Sequence, residues 1–211
     1  MKVSIKTRAV SRGMQWLSRV FLLSAVLLLG YCGYVVADAW VFQHLAAQSF
    51  EAQVQAHSNI REASPAVEQN TTATQNVPAV ASDGSIGRLE IPDVGLSVMV
   101  EEGTDESTLQ RAAGHIEGTA LPGRPGNIGI AGHRDTFFRP LRNLHRDNII
   151  TLTTLRGAYR YRVLSTKVVK PDDVSVLRAD QQDILTLVTC YPFYFVGPAP
   201  NRFIVRAERV L

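Results

Sequence analysis

One sulfur, one imidazole and one guanidinium stand at the ends of apolar runs in the C-terminal part of the chain. Cys190 closes the alternating segment ILTLVTC, His133 closes GNIGIAGH, and Arg202 opens NRFIVRAERV 12 residues after the cysteine. A sulfur nucleophile, a titratable proton carrier and a fixed cation form the set that acyl transfer through a thioester requires. The sulfur attacks a carbonyl, the imidazole moves protons to the leaving group and from the incoming nucleophile, and the cation offsets the oxyanion. Singly, each residue has a plainer reading. An isolated strand cysteine is commonly a core residue, a lone histidine a hydrogen-bonded structural one, and a lone arginine an ordinary surface charge. Their combination points to chemistry.

Further residues join this set. Thr189 precedes the cysteine, where its backbone N–H would suit an oxyanion hole and its branched side chain would equally suit a strand. Beyond Cys190, the loop containing Phe193, Tyr194, Phe195, Val196, Pro198 and Pro200 offers an apolar lining. The candidate substrate-binding residues are therefore Thr189, Tyr191, Pro192 and Phe195, and the bland alternative is a loop that covers one end of a barrel. Asp135, two residues after His133, is a candidate to orient the imidazole as a triad carboxylate does. His115 and His145 have no Cys or carboxylate at zinc spacing, and neither HExxH nor CxxC occurs, so no metal and no other cofactor is expected.

These residues need a scaffold with sharp strand ends. Alternation puts Thr186, Val188 and Cys190 on one strand face, and Pro192, which cannot donate to a ladder, ends the pairing just beyond the thiol. From about Ser85 onward, short apolar runs alternate with Gly, Pro, Asn and Asp. They predict strands at Arg88–Ile91, Leu96–Val100, Asn127–Ala131, Ile149–Thr153, Tyr159–Val163, Lys167–Lys170, Ile184–Thr189 and Phe203–Arg209. Short helical segments are expected at Glu106–Ala113 and Phe137–Leu144. The fold class is thus all-β, with eight strands suggesting a closed or nearly closed barrel.

The rest of the chain reads as a means of export and tethering. At 211 residues, 45% hydrophobic and 19% charged, the composition excludes a disordered or collagen-like chain, and two Cys cannot make a disulfide framework. The pI near 9.0 originates in Lys2, Lys6, Arg8, Arg12 and Arg19, with no acid among residues 1–19. Without them the chain holds 17 basic against 19 acidic residues, so it offers no excess charge for a nucleic-acid backbone. From Val20 to Ala37 no charge occurs, and as a helix this run spans about 27 Å, enough to cross a bilayer. Trp16, Tyr31, Tyr34 and Trp40 flank it, and the five charges before it place the N-terminus in the cytoplasm. A cleaved signal peptide with Ala37-Asp38-Ala39 as its site is the competing reading, but the apolar run exceeds the usual h-region. The expected organisation is a basic cytoplasmic tail (1–19), a transmembrane signal-anchor (20–41) in contact with membrane lipid, an extracytoplasmic stalk (42–84) and a folded domain (85–211). Residues 41–63 could continue the helix, and the Ala-, Thr-, Asn-, Gln- and Pro-rich stretch that follows reads as a solvated tether.

TLVTC at 186–190, with a His 57 residues upstream and an Arg 12 residues downstream, resembles the sortases, membrane-anchored cysteine transpeptidases of the bacterial surface. AGHRDTFFRPL at 131–141 and YPFYFVGPAPNRFIVRAER at 191–209 look most like the class D branch. The resemblance implies Cys190 as nucleophile, His133 as proton carrier and Arg202 as the oxyanion or substrate-positioning cation, on an eight-stranded sortase-type barrel. It further implies partners that bear an LPxTG or LPxTA sorting signal, cleaved after Thr, and an amine acceptor such as a peptidoglycan precursor or a pilin Lys. A caspase-like protease shares the His-to-Cys spacing, but TCYPF is not QACRG, and papain-like enzymes carry Cys and His in the reverse order. A hydrolytic cysteine endopeptidase and a non-catalytic tethered β-barrel that binds a cell-wall ligand stand as alternatives.

Overall fold

The computed structural model describes residues 6–62, 79–81, 83–195 and 197–210. The start of the basic tail, much of the expected tether and Val196 lie outside the described residues.

Helix α1 runs from Lys6 to Glu62. Its residues up to Val41 form a compact unit separate from the one that begins at Phe42. In the first unit the apolar side chains have nothing to bury against: Phe21, Leu22, Leu27, Leu29 and Val36 are all exposed. So long an unburied apolar surface is what a lipid-facing helix presents, and this is the one helix among the described residues that is long and apolar enough to cross a membrane.

The second unit contains a closed barrel of strand order β1-β2-β3-β4-β7-β8-β6-β5. The strands are β1 (Ser85–Ile91), β2 (Leu96–Glu102), β3 (Ala113–His115), β4 (Asn127–Ala131), β5 (Ile149–Thr154), β6 (Gly157–Val169), β7 (Ile184–Tyr191) and β8 (Asn201–Val210). Closure leaves no open sheet edge. The barrel interior is filled by one face of each strand: Leu89 and Ile91, Val98 and Val100, Ile128 and Ile130, Ile150 and Leu152, Tyr161 and Val163, Leu185 and Leu187, Val205 and Ala207. Each fully buried aliphatic side chain contributes about 1.5–3 kcal/mol relative to exposure. Helix α2 (Glu106–Arg111) starts where the Asp105 carboxylate accepts the N–H groups of Ser107 and Thr108, and it stops at Ala112, which is already extended and leads into β3. The segment expected to be helical at 137–144 is a 3-10 turn, Arg139–Asn143, with Pro140 in its first turn.

The expected count of eight strands is correct, although two assignments differ in compensating ways. The runs 159–163 and 167–170 form one strand, β6, because the polar residues between them continue as an exposed ladder past an irregularity at Val163/Ser165. Strand β3, absent from the expectation, is three residues long and contains a glycine, too short to display alternation.

Part of the expected stalk (42–84), in its helical first section, is packed against the barrel. Phe50 is only 2% exposed, and Arg88 on β1 donates to the Glu51 carboxylate at 2.7 Å and to the Ala47 carbonyl at 3.4 Å. Gln43 completes the seam between β2 and β3. Its Oε1 accepts the Met99 N–H at 2.9 Å and its Nε2 donates to the Arg111 carbonyl at 2.5 Å. Both backbone groups lie just outside the first β2–β3 pair, Val100↔Ala113, where so short a strand leaves them without a strand partner. The loose apolar periodicity of Phe42, Phe50 and Val54 is sufficient for a helix that needs only one narrow contact line.

His115 gains a partner that sequence spacing did not show. Parallel pairing sets Glu102 beside it, and its Nδ1 lies 3.0 and 3.1 Å from the two carboxylate oxygens. Its Nε2 lies 3.0 Å from the Ala120 carbonyl, so the ring joins the β3–β4 turn to β2.

Candidate active site

Three strands bring the candidate residues to one place. In the antiparallel β7–β8 ladder, Cys190 stands directly opposite Arg202, and directly opposed residues share a face, with Cβ atoms about 4.5–5.5 Å apart. Strand β4 runs parallel to β7 on its other side, paired from Asn127↔Ile184 to Ala131↔Val188. The pairing extends one step further, since the Gly132 N–H donates to the Val188 carbonyl at 3.1 Å. His133 is the next residue, in the turn that follows β4. Thiol, imidazole and guanidinium thus come from neighbouring segments: β7, the turn after β4, and the start of β8.

The face is the outer one. Leu185, Leu187 and Thr189 point into the barrel, and Thr186, Val188 and Cys190 point out, as alternation predicts. Cys190 is half-buried and His133 is exposed. Glycines on β4 and beyond allow close packing around this face. A Cβ on Gly129 would lie 3.0 Å from Leu177 and 3.1 Å from Thr119, so the missing side chain admits Leu177 to the outer face beside Thr186. Asn127 holds that covering loop by donating to the carbonyls of Val176 and Arg178, and it accepts the Thr186 hydroxyl at 2.7 Å. The sequence offered no signal for this polar clasp beyond an Asn at a strand start. At Gly132 a Cβ would meet the Phe138 ring at 2.8 Å, so glycine allows the buried Phe138 to back the His133 turn. That turn is closed by the Phe138 N–H donating to the His133 carbonyl at 3.0 Å.

Arg202 donates through Nη1 to the carbonyls of Ala199 and Asn201 at 3.3 and 3.1 Å. These bonds hold the guanidinium at the cysteine's side of β8 and leave Nε and Nη2 without a hydrogen-bond partner among the described residues. Such fixed donors are what charge developing on an acyl oxygen requires.

The substrate-binding expectations divide. Thr189 is 2% exposed and its hydroxyl donates to the Gly132 carbonyl at 2.7 Å, so its side chain ties β7 to the end of β4. Tyr191 falls on the inward register and packs with Phe193 and Phe203, at ring separations of 5.9 and 6.2 Å, closing the barrel end. Pro192 contributes a carbonyl that accepts from Arg134 at 3.1 Å. Phe195 has an exposed ring, and Tyr194 is exposed with Arg142 over its ring at 5.4 Å. Asp135 directs its carboxylate to Arg134, 3.5 Å from Nε. No group of three or more potential metal-ligating side chains occurs among the described residues.

Residues 89–210 match the Sortase domain family. The chain is 38% identical over 125 residues to Sortase D of Bacillus subtilis, covering 59% of this chain and 63% of that protein. It is 31% identical over 112 residues to Sortase A of Listeria monocytogenes, covering 51% and 50% of the two chains. The match therefore spans between half and two thirds of these relatives' length. Among solved structures, a Sortase D5 transpeptidase of Clostridium perfringens superimposes with a TM-score of 0.61 at 25% identity, covering 77% of this chain and 94% of that one. A sortase C of the same organism, solved with the C-terminal cell wall sorting motif, gives a TM-score of 0.55 at 32% identity over 60% of this chain and 70% of that one.

Proposed function

This chain belongs to the sortase family, and from that premise we propose that it is a membrane-anchored cysteine transpeptidase with Cys190 as nucleophile, His133 as proton carrier and Arg202 as oxyanion-stabilising cation. The observation that carries the reading is the register: Cys190 opposes Arg202 across one ladder, and His133 follows one step beyond the end of the other.

In the proposed reaction the Cys190 sulfur attacks the carbonyl of a Thr-Gly or Thr-Ala bond in an LPxTG- or LPxTA-like sorting signal. The proton of the thiol passes to His133 and from there to the departing amine of the C-terminal fragment, leaving a thioester. An incoming amine, from a cell-wall precursor or a pilin Lys, gives up its proton to His133 and attacks the thioester carbonyl, so that a new amide forms and the thiol is restored. Arg202 offsets the oxyanion in both tetrahedral steps, an interaction worth about 2.7–4 kcal/mol per donor in other acyl-transfer sites. The exposed Phe195 ring and Pro192 offer apolar surface on the loop after Cys190, suited to the Leu-Pro part of the signal. The sorting motif held by the Clostridium perfringens sortase C supports a signal of this type. Residues 1–19 lie in the cytoplasm, the apolar part of α1 spans the membrane, and the barrel works outside, as five positive charges before the span direct.

The test is incubation of the purified chain, in detergent, with a panel of LPxTx peptides and an added amine. Amide product between the peptide's Thr and the amine is expected. Release of the Thr carboxylate alone would assign a hydrolase, and the absence of any Cys190 adduct would remove the catalytic reading.

A further inference from the structure

We infer that Arg134 is a positioning residue of this site, a buried strap that fixes the loop between Cys190 and Arg202 to the turn that carries His133. Its side chain is 7% exposed, and its guanidinium donates to three backbone carbonyls: Pro192 from Nη1 at 3.1 Å, and Phe195 and Gly197 from Nη2 at 2.7 and 2.9 Å. The Nε side faces the exposed Asp135 carboxylate at 3.5 Å, and the guanidinium carbon lies 5.9 Å from the centre of the Phe195 ring.

Three features make this more than a surface arginine. A guanidinium is costly to bury unless nearly every donor is satisfied, and here the satisfying groups are loop carbonyls instead of a buried carboxylate. Phe193 anchors the start of the loop by packing on Tyr191 and Phe203, but the loop has few hydrogen bonds to the barrel. Among the described residues, the hydrogen bonds that join residues 192–200 to the rest of the barrel come from Arg134 and Arg202 alone, the remaining one being internal, from the Phe195 N–H to the Pro192 carbonyl. The bonded positions also bracket the chemistry, because Pro192 is two residues after the nucleophile, Arg134 is adjacent to His133, and the loop returns to Arg202. One side chain thereby sets where the imidazole, the sulfur and the loop wall stand relative to each other. A planar fork can serve three carbonyls at once, which a lysine ammonium at the end of a flexible stem cannot. For the reaction this inference rests on the sortase reading; for the strap it rests on the hydrogen bonds.

The test uses the full chain in detergent, comparing the natural protein with Arg134→Lys and Arg134→Ala. Three readouts are taken: amide hydrogen exchange by segment, alkylation of Cys190 by iodoacetamide, and kcat and KM with an LPxTA peptide and an added amine. In Arg134→Lys, exchange over residues 193–199 should rise about tenfold or more while β1 and β5 keep their protection. Alkylation should stay within about threefold, because the sulfur remains on its strand, and kcat should fall at least about tenfold through misplacement of the reacting groups. If Arg134→Ala loses protection throughout the barrel, it reports folding, and the Lys variant decides. Unchanged exchange over 193–199 in Arg134→Lys overturns the strap, and kcat within about twofold of the natural protein overturns the positioning role. If the natural protein alkylates at Cys190 yet makes no adduct with any peptide of the panel, the transpeptidase reading and the positioning role fail together, and the exchange result still accepts or rejects the strap.

Discussion

The hydroxyl of Thr189 donates to the carbonyl of Gly132 at 2.7 Å with both residues buried, so the residue before Cys190 is bonded to the residue before His133. Thr189→Val keeps the shape and removes the donor, leaving a buried carbonyl unpaired. Stability should fall by about 1–3 kcal/mol, and turnover should fall more than Cys190 alkylation does. Thermal denaturation beside the two rate measurements checks this, and an unchanged melting temperature would remove the bond from any structural account of the site.

Cys190→Ala, His133→Ala and Arg202→Ala should each abolish or nearly abolish transpeptidation, for separable reasons. The first removes the atom that forms the thioester, so intact-mass analysis should find no peptide adduct. The second keeps the sulfur but removes the proton carrier, so adduct should form slowly and persist in the presence of amine. The third should retain alkylation and lose turnover, with Arg202→Lys a poor rescue. Product formation by Cys190→Ala would end the assignment.

A barrel cut at the boundary read from the sequence, residue 85, lacks Phe50, Gln43 and the Arg88–Glu51 pair. Phe50→Ala in the intact chain should cost about 3–5 kcal/mol, the range for emptying a buried aromatic site. A chain begun at Phe42 should melt higher than one begun at Ser85, measured by circular dichroism. Equal melting of the two would show that the docked helix adds nothing.

The convergence of the candidate residues was legible because Cys190 and His133 each end a run whose alternation and punctuation survive in the fold, ILTLVT and GNIGIAG. Alternation also put Cys190 and Thr186 on the outer face. It placed Thr189 on the other face as well, where its hydroxyl bonds the Gly132 carbonyl. Partners set by tertiary register were not legible. Nothing near His115 in the sequence indicates Glu102, and nothing near Arg134 indicates Phe195 or Gly197, because both pairings depend on which strands are neighbours. The docking of α1 was hidden for a related reason, since one buried phenylalanine and one bridging glutamine leave almost no periodic trace.

The Asp105 carboxyl is held well below its ordinary range by the hydrogen bonds it accepts from Ser107 and Thr108. A carboxyl depressed in the folded state stabilises fully above its unfolded pKa, near 3.9, and the contribution is lost as pH falls through the folded-state value. The melting temperature of the natural protein should therefore decline below about pH 4 more steeply than that of Asp105→Asn, which retains a capping oxygen without a titrating group. Parallel curves from pH 6 to 2.5 would deny the cap its electrostatic share.

The parallel pairing of β4 with β7 frees the geometry of the site from the covalent path between its parts. Ala131 and Val188 are neighbours by hydrogen bonding, whereas along the chain they are separated by β5, β6 and every loop between. Loop length in that crossover can vary without changing the step from imidazole to sulfur, since the ladder sets the step. A single backbone cleavage at the exposed Pro171–Asp172 segment should accordingly leave two fragments held by the barrel, with the reactive groups still in register. Insertions in the covering loop around Leu177 have the same latitude, so that loop can diverge while the register of Cys190 with Arg202 stays fixed.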